Sequence, residues 1–144
     1  MSRRNPLRSR RGVSAVEFAL LAPVLMLFGL GTLEYGRLAW TQEALEAAAA
    51  AGARCMGVLA SDCASGGAYS AANAKTYIVN QAANWKLTLT TDTITTTRPT
   101  TCAGVDKFST VAITYKFETV LPLLVTTLAN GINLSVSACY PNTR

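Results

Sequence analysis

The pattern of apolar and polar positions divides the chain into a long apolar run, an alanine-rich continuation and a mixed C-terminal part. From Val13 to Leu33 only Ser14, Glu17 and Thr32 interrupt the apolar character. At about 1.5 Å per residue a helix of that length reaches about 30 Å, the thickness of bilayer hydrocarbon, so the run predicts a membrane-spanning helix. Thr41 to Leu59 has no proline and is dominated by alanine around Glu43, Leu45 and Glu46. Such a composition favours continued helix, expected to end near Leu59, with Gly52 and Gly57 blurring that end.

The remaining residues read as a small mixed head. Ser61–Ser70, with Asp62, Gly66 and Gly67, carries loop residues. Ala71, Ala74, Ile78, Ala82 and Trp85 recur at three-to-four spacing and predict a short amphipathic helix. The threonine-rich stretch Leu87–Thr101, with weak alternation at Leu87 and Leu89, favours a strand through its β-branched residues. The clearest strand is Phe108–Glu118, where Val111, Ile113, Tyr115 and Phe117 alternate with Ala112, Thr114, Lys116 and Glu118. Ile132, Leu134, Val136 and Ala138 give a third. Val120–Leu128 is apolar, interrupted by Pro122, and is expected as a short helix or ordered loop. The fold class is therefore α+β: a long N-terminal membrane-spanning helix continuing into a small head with one short helix and a three-stranded antiparallel sheet laid on the helix's outer half. The expected boundaries are residues 1–12, 13–59 and 60–144, with no internal repeat.

Charge orients this arrangement. The net +5 resides in the first twelve residues: Arg3, Arg4, Arg8, Arg10 and Arg11 precede Gly12 with no acid among them, leaving eight basic against eight acidic side chains beyond. A basic total raises the question of nucleic acid, but the body offers no basic stripe, and no nucleic-acid partner is expected. Arginines on the N-terminal flank place that end in the cytoplasm and everything after Leu33 outside the inner membrane. Tyr35 and Trp40 follow the run at the depth where amphipathic rings sit among headgroups. A secretory signal peptide fits less well, because its apolar core is shorter and ends in a small-residue cleavage site.

A basic segment ending in Gly12, ahead of an apolar run with an acid at its fifth residue, reads as a segment to be cut after Gly12. Cutting there creates an α-ammonium at Val13, four residues from Glu17. An acid in a spanning segment costs a few kcal/mol. Glu17 either snorkels one turn to the cytoplasmic headgroups or answers the new amine, in its own chain or a neighbour. An unpaired charge in a greasy core would cost several kcal/mol, whereas a paired one comes near to breaking even and can set register between subunits.

Gly12-Val13-Ser14-Ala15-Val16-Glu17-Phe18 looks like a prepilin peptidase site. Together with Glu34-Tyr35-Gly36-Arg37 and Ala50-Ala51-Gly52-Ala53-Arg54, it resembles TadE-like pseudopilins of tight-adherence pili. The likeness covers the N-terminal third in motif and the rest in outline. It implies a pilin-like head, scission between Gly12 and Val13, and Glu17 with Phe18 in the assembly segment. It also implies a minor, structural, non-enzymatic role in building the pilus. The partners so implied are other pilins and pseudopilins, the prepilin peptidase, the inner-membrane assembly machinery and the lipid bilayer. The implied location is the bacterial inner membrane, head in the periplasm, and then the pilus at the cell surface. The Gly-to-Glu spacing is shared with general type IV and type II secretion pseudopilins, so a secretion pseudopilin remains the alternative, and a membrane-anchored periplasmic binding protein or enzyme another. The element Glu34-Tyr35-Gly36-Arg37 tips the balance to the tight-adherence branch.

Plainer roles exist for these residues. Glu34 and Arg37, three apart on a helix, can form an exposed pair worth a few tenths of a kcal/mol, and Arg37 can reach anionic headgroups. Pro23, Gly29 and Gly31 can bend a spanning helix or admit a close neighbour. The stretch Ala47–Ala51 presents a narrow surface that a head or neighbouring subunit could approach closely.

Four cysteines, all on the exported side, fit a disulfide-bearing head. Three pairings are open. The preferred one joins Cys55 to Cys63, clipping the loop to the helix end, and Cys102 to Cys139, stapling the last strand near the start of the middle one. A zinc site is disfavoured by the absence of CxxC spacing and of histidine, so no metal and no cofactor are expected. The same absence removes the commonest general base. No phosphate- or dinucleotide-binding glycine pattern occurs, and Asp62, Asp92, Asp106 and Glu118 are scattered singly. Asn133-Leu134-Ser135 matches a glycosylation acceptor inside an expected strand and is read as chance.

Overall fold

The computed structural model describes residues 11–120 and 131–143. Element order is α1 (Arg11–Val58), a 3-10 turn (Ser61–Cys63), β1 (Ala64–Ser65), β2 (Ala68–Tyr69) and α2 (Ala71–Asn84). A second 3-10 turn (Thr91–Thr93), β3 (Ile94–Cys102), β4 (Val105–Phe117) and β5 (Ile132–Pro141) complete it. A long apolar helix, a short second helix and a three-stranded antiparallel sheet make this an α+β fold. The chain divides into two compact units, residues 1–36 and 37–144.

The first unit consists of the N-terminal part of α1. Pro23 lies inside the helix, where it removes one backbone hydrogen bond. The apolar side chains from Val16 to Leu33 are exposed almost throughout, Phe18 at 70% and Phe28 at 77%. Their helix is long and apolar enough to cross a membrane, and none of its most apolar window is buried within the protein.

The second unit holds the core. One face of α1 contributes Ala44, Leu45, Ala48, Ala49, Ala53 and Met56, all but fully buried. Against it pack Ala74, Ile78 and Ala82 of α2 and Ile94, Val111, Ile113 and Val136 of the sheet. The small residues at helical spacing set how close the sheet and α2 can come, and Gly52 and Gly57 set it most tightly. A Cβ on Gly52 would collide with Cγ1 of Ile78 and lie 2.7 Å from its Cδ1. One on Gly57 would lie 2.5 Å from Tyr140 Cδ1 and 2.8 Å from the Pro141 carbonyl oxygen. Gly52 thus sits inside the helix and Gly57 in its last turn, both as points of close approach.

The helix stops where its last carbonyls are answered by a left-handed turn. Leu59, at φ 53°, donates its N–H to the Met56 carbonyl at 3.2 Å, and Ala60 donates to that of Cys55 at 3.0 Å, the paired bonds of a Schellman cap. The end of α2 repeats the device. Lys86 takes φ 62°, donating to Ala83 at 2.9 Å, and Leu87 donates to Ala82 at 3.1 Å. At its other end, the hydroxyl of Ser70 accepts from the Asn73 N–H at 3.4 Å, a side-chain N-cap.

The sheet runs β3-β4-β5. Ten consecutive pairs, Phe108↔Pro141 to Phe117↔Ile132, join β4 to β5 without a slip. The β3–β4 ladder shifts register twice between Thr97 and Cys102, a stretch that includes the cis Arg98–Pro99 bond. Alternation puts Val111 and Ile113 inward and Thr114 and Lys116 outward, as the period-two pattern requires.

Three expectations shift. Leu87 and Leu89 are buried but lie before the strand, which starts only at Ile94. They serve as inward anchors on an extended lead-in. Ser61–Ser70 is more ordered than a loop: Ala64–Ser65 pairs with Ala68–Tyr69 about Gly66 and Gly67, at φ 60° and 81°, the two left-handed positions of a tight hairpin turn. The Tyr69 hydroxyl, 2.7 Å from the Thr96 hydroxyl, ties this hairpin to the sheet. Trp85, expected on the buried face of α2, is exposed. It caps the helix and packs edge-on to Trp40. The apolar segment around Pro122 lies outside the described residues from 121 on.

Candidate functional site

Gly12 and Val13 fall on the backbone of α1, within its first turn. Val13 and Glu17 are four residues apart on this helix, about 6 Å along its axis. A cut between Gly12 and Val13 would therefore put an ammonium roughly one turn from the carboxylate. Glu17 and Phe18 are exposed, within a stretch where Leu20, Leu21, Val24, Leu25 and Leu27 are exposed too. A carboxylate among unshielded apolar side chains has no place in a globular surface. It fits a helix whose solvent is lipid or other helices.

Glu34 is half-buried and Tyr35 exposed, and nothing comes within 4 Å of a Cβ built on Gly36. Arg37 opens the second unit. Its guanidinium carbon stands 5.4 Å from the centroid of the Phe117 ring, within the range of a cation–π contact.

Both disulfides lie in the second unit. Cys55–Cys63 closes a separation of 8 residues with Cα atoms 5.9 Å apart, binding the last turn of α1 to the 3-10 turn after it. Cys102–Cys139 closes a separation of 37 with Cα atoms 6.5 Å apart. It joins β3 to β5, the two outer strands, past β4 between them. Together they take all four cysteines. Among the described residues no group of three or more histidine, cysteine or acidic side chains comes together.

Polar organisation concentrates at the C-terminal end of the head. Asn142 Oδ1 accepts from the buried Ser109 hydroxyl at 2.5 Å and from Arg98 Nε at 3.2 Å. The Asn142 N–H donates to the Lys107 carbonyl at 2.7 Å, and that of Thr143 to the Gly57 carbonyl at 3.1 Å. These bonds tie β3, β4 and the end of α1 to the residues that follow β5. The buried Ser109 has its partner, so it is a satisfied core hydroxyl.

Sequence reasoning passed over the packing role of Gly52 and Gly57 and the meeting of Trp40 with Trp85, next to Lys86. Glycines inside an alanine-rich helical pattern signal the first, since nothing in such a stretch favours glycine except proximity. A tryptophan at the last turn of a short helix, followed by lysine, is the trace of the second.

No curated protein and no solved structure matches the chain. A family model described as TadE-like protein matches residues 12–54. That region begins at Gly12, contains the whole exposed apolar run and ends with the buried Gly52 and Ala53 and the exposed Arg54. This family points to involvement in Tad pilus assembly and association with other pilus components, and with the apolar helix it points to anchoring in a membrane. Over residues 12–54, the N-terminal third of the sequence, the chain is similar to TadE-like proteins.

Proposed function

We propose that this chain is a minor pseudopilin, cut after Gly12 by a prepilin peptidase and acting structurally in the assembly of a tight-adherence pilus used for surface attachment. The observation that carries the reading is the TadE-like match over a helix whose apolar side chains are exposed rather than buried in the protein. Burying such a surface contributes about 25 cal/mol per Å² of apolar area taken out of water, which drives the helix into lipid or against other helices.

The helix lies first in the inner membrane, N-terminus cytoplasmic, with the head in the periplasm where its disulfides form. Cleavage removes the arginines that hold the leader in the cytoplasm and uncovers the Val13 ammonium. Paired with Glu17 of its own or a neighbouring subunit, that ammonium lets the helix move from bilayer to filament without a bare charge. The pair contributes register more than strength. The head supplies specificity toward other pilins, and no catalytic step is assigned to it.

Intact mass of the subunit from cells with an active prepilin peptidase tests this directly. The mass falls by residues Met1–Gly12, and an unchanged mass removes the assembly reading.

A further inference from the structure

We propose that the head itself rests on the bilayer surface through Trp85 and Lys86, beside Trp40, so that the chain holds the membrane at the headgroup layer as well as through it. The inference rests on the membrane-anchored reading of α1 and adds a second contact to it.

The two tryptophans, the only ones in the chain, come from different helices and meet edge-on, ring centroids 5.3 Å apart and planes at 61°. Trp40 Nε1 donates to the Trp85 carbonyl at 3.5 Å. The pair is not buried: Trp40 stays 59% exposed and Trp85 37%. The cap of α2 explains why. With Lys86 in the left-handed conformation the chain reverses, so that Leu87 turns into the core while Trp85 and Lys86 stay outside. Lys86 is exposed, and so is Arg37, one helical turn before Trp40.

The result is a small surface of two amphipathic rings, with the exposed Lys86 next in the chain to one of them. Tryptophan favours the headgroup layer over both hydrocarbon and water, because its indole is largely apolar and its N–H needs a partner. Lysine and arginine add attraction to anionic lipid within a Debye length of the surface. Sequence spacing gives the surface access to that layer: Trp40 comes seven residues after Leu33, about 10 Å of helix, less along the membrane normal when the helix tilts. A protein partner for the same surface is a different outcome, which the test separates.

The test uses the full chain in vesicles of phosphatidylcholine and phosphatidylglycerol. W40F leaves Trp85 as the single tryptophan, and W85F leaves Trp40. Both are first compared with the parent by far-UV circular dichroism; should W40F lose the parent spectrum, W40Y, with a polar ring tip, replaces it. We expect Trp85 emission to fall when the phosphatidylcholine is brominated near the carbonyl end of its acyl chains. It falls less with bromines at the chain ends, and K86E reduces the loss. If Trp85 emission is the same with and without bromine while that of Trp40 falls, the head stands clear of the bilayer and the proposal is overturned with the spanning helix intact. If neither responds and the chain does not float with the vesicles, the anchored reading fails and the proposal falls with it.

Discussion

Gly52 leaves room for Ile78: a single methyl on Gly52 would collide with the Ile78 Cγ1 atom. Val111, from β4, stands 3.4 Å from the same point. Gly52 is therefore where α1, α2 and the sheet converge, and it lies in the TadE-like region.

Replacing Gly52 by alanine should destabilise the head by about 1–3 kcal/mol through overpacking, even though alanine is the better helix former by about 1 kcal/mol. Thermal unfolding of the detergent-solubilised protein measures which term wins. A rise in midpoint would mean that Ile78 gives way freely and that the close approach is not needed.

The two disulfides should differ in worth because they close loops of different length. By the chain-entropy relation, the 8-residue separation of Cys55 and Cys63 corresponds to about 2.5 kcal/mol and the 37-residue separation of Cys102 and Cys139 to about 3.8 kcal/mol. Paired serine substitutions, one pair at a time, followed by denaturant unfolding, should rank them in that order. The reverse order would show that the clip on the helix end has an energetic role beyond its loop.

Ala103 occupies the first position of the two-residue turn between β3 and β4 at φ 51°, followed by Gly104 at φ 81°. A turn with both central residues left-handed favours Asn-Gly. Ala103→Asn should raise stability by about 0.5–1 kcal/mol, because a non-glycine residue without a short polar side chain pays a steric penalty there. The unfolding midpoint of the single variant checks this, and no gain would indicate that the neighbouring disulfide at Cys102 already fixes the turn.

Glu17→Gln keeps the size of the side chain and removes its charge. Membrane insertion should be unchanged or slightly easier, while incorporation into filaments should drop, since the Val13 ammonium would then enter the bundle unanswered. Membrane fractionation and counting of the subunit in sheared filaments separate the two steps. Full incorporation would leave Glu17 as a headgroup-facing residue and no more.

Much of the fold was legible because the governing patterns are local. Val111, Ile113 and Phe117 alternate with polar neighbours and form the inward row of β4; Ala74, Ile78 and Ala82 recur at helical spacing and form the buried stripe of α2. What escaped depends on residues distant in sequence. Gly52 and Gly57 looked like helix breakers because their reason for being small is supplied by Ile78 and Tyr140. Trp85 continued the apolar period of α2, but its place was decided by Trp40, on another helix. Leu87 and Leu89 carried strand alternation without a strand, since burial of two side chains does not demand ladder pairing. The small hairpin about Gly66-Gly67 was marked by its double glycine, and its weakness as a signal lies in having only two residues on each side. In the assembly segment, the exposed run and Glu17 are legible as chemistry, whereas the identity of what surrounds them is not written in one chain.

The covalent bond at the far end of α1 has a mechanical meaning. A pull transmitted along the helix runs parallel to its contact face from Ala44 to Met56 and must shear that face as a whole. Once the face yields, Cys55 remains linked to Cys63, so the slip of the rod is limited to the slack of a short covalent ring. Under tension the disulfide withholds the slack that the main chain between Cys55 and Cys63 would otherwise release, and a reducing environment would change how far the joint creeps.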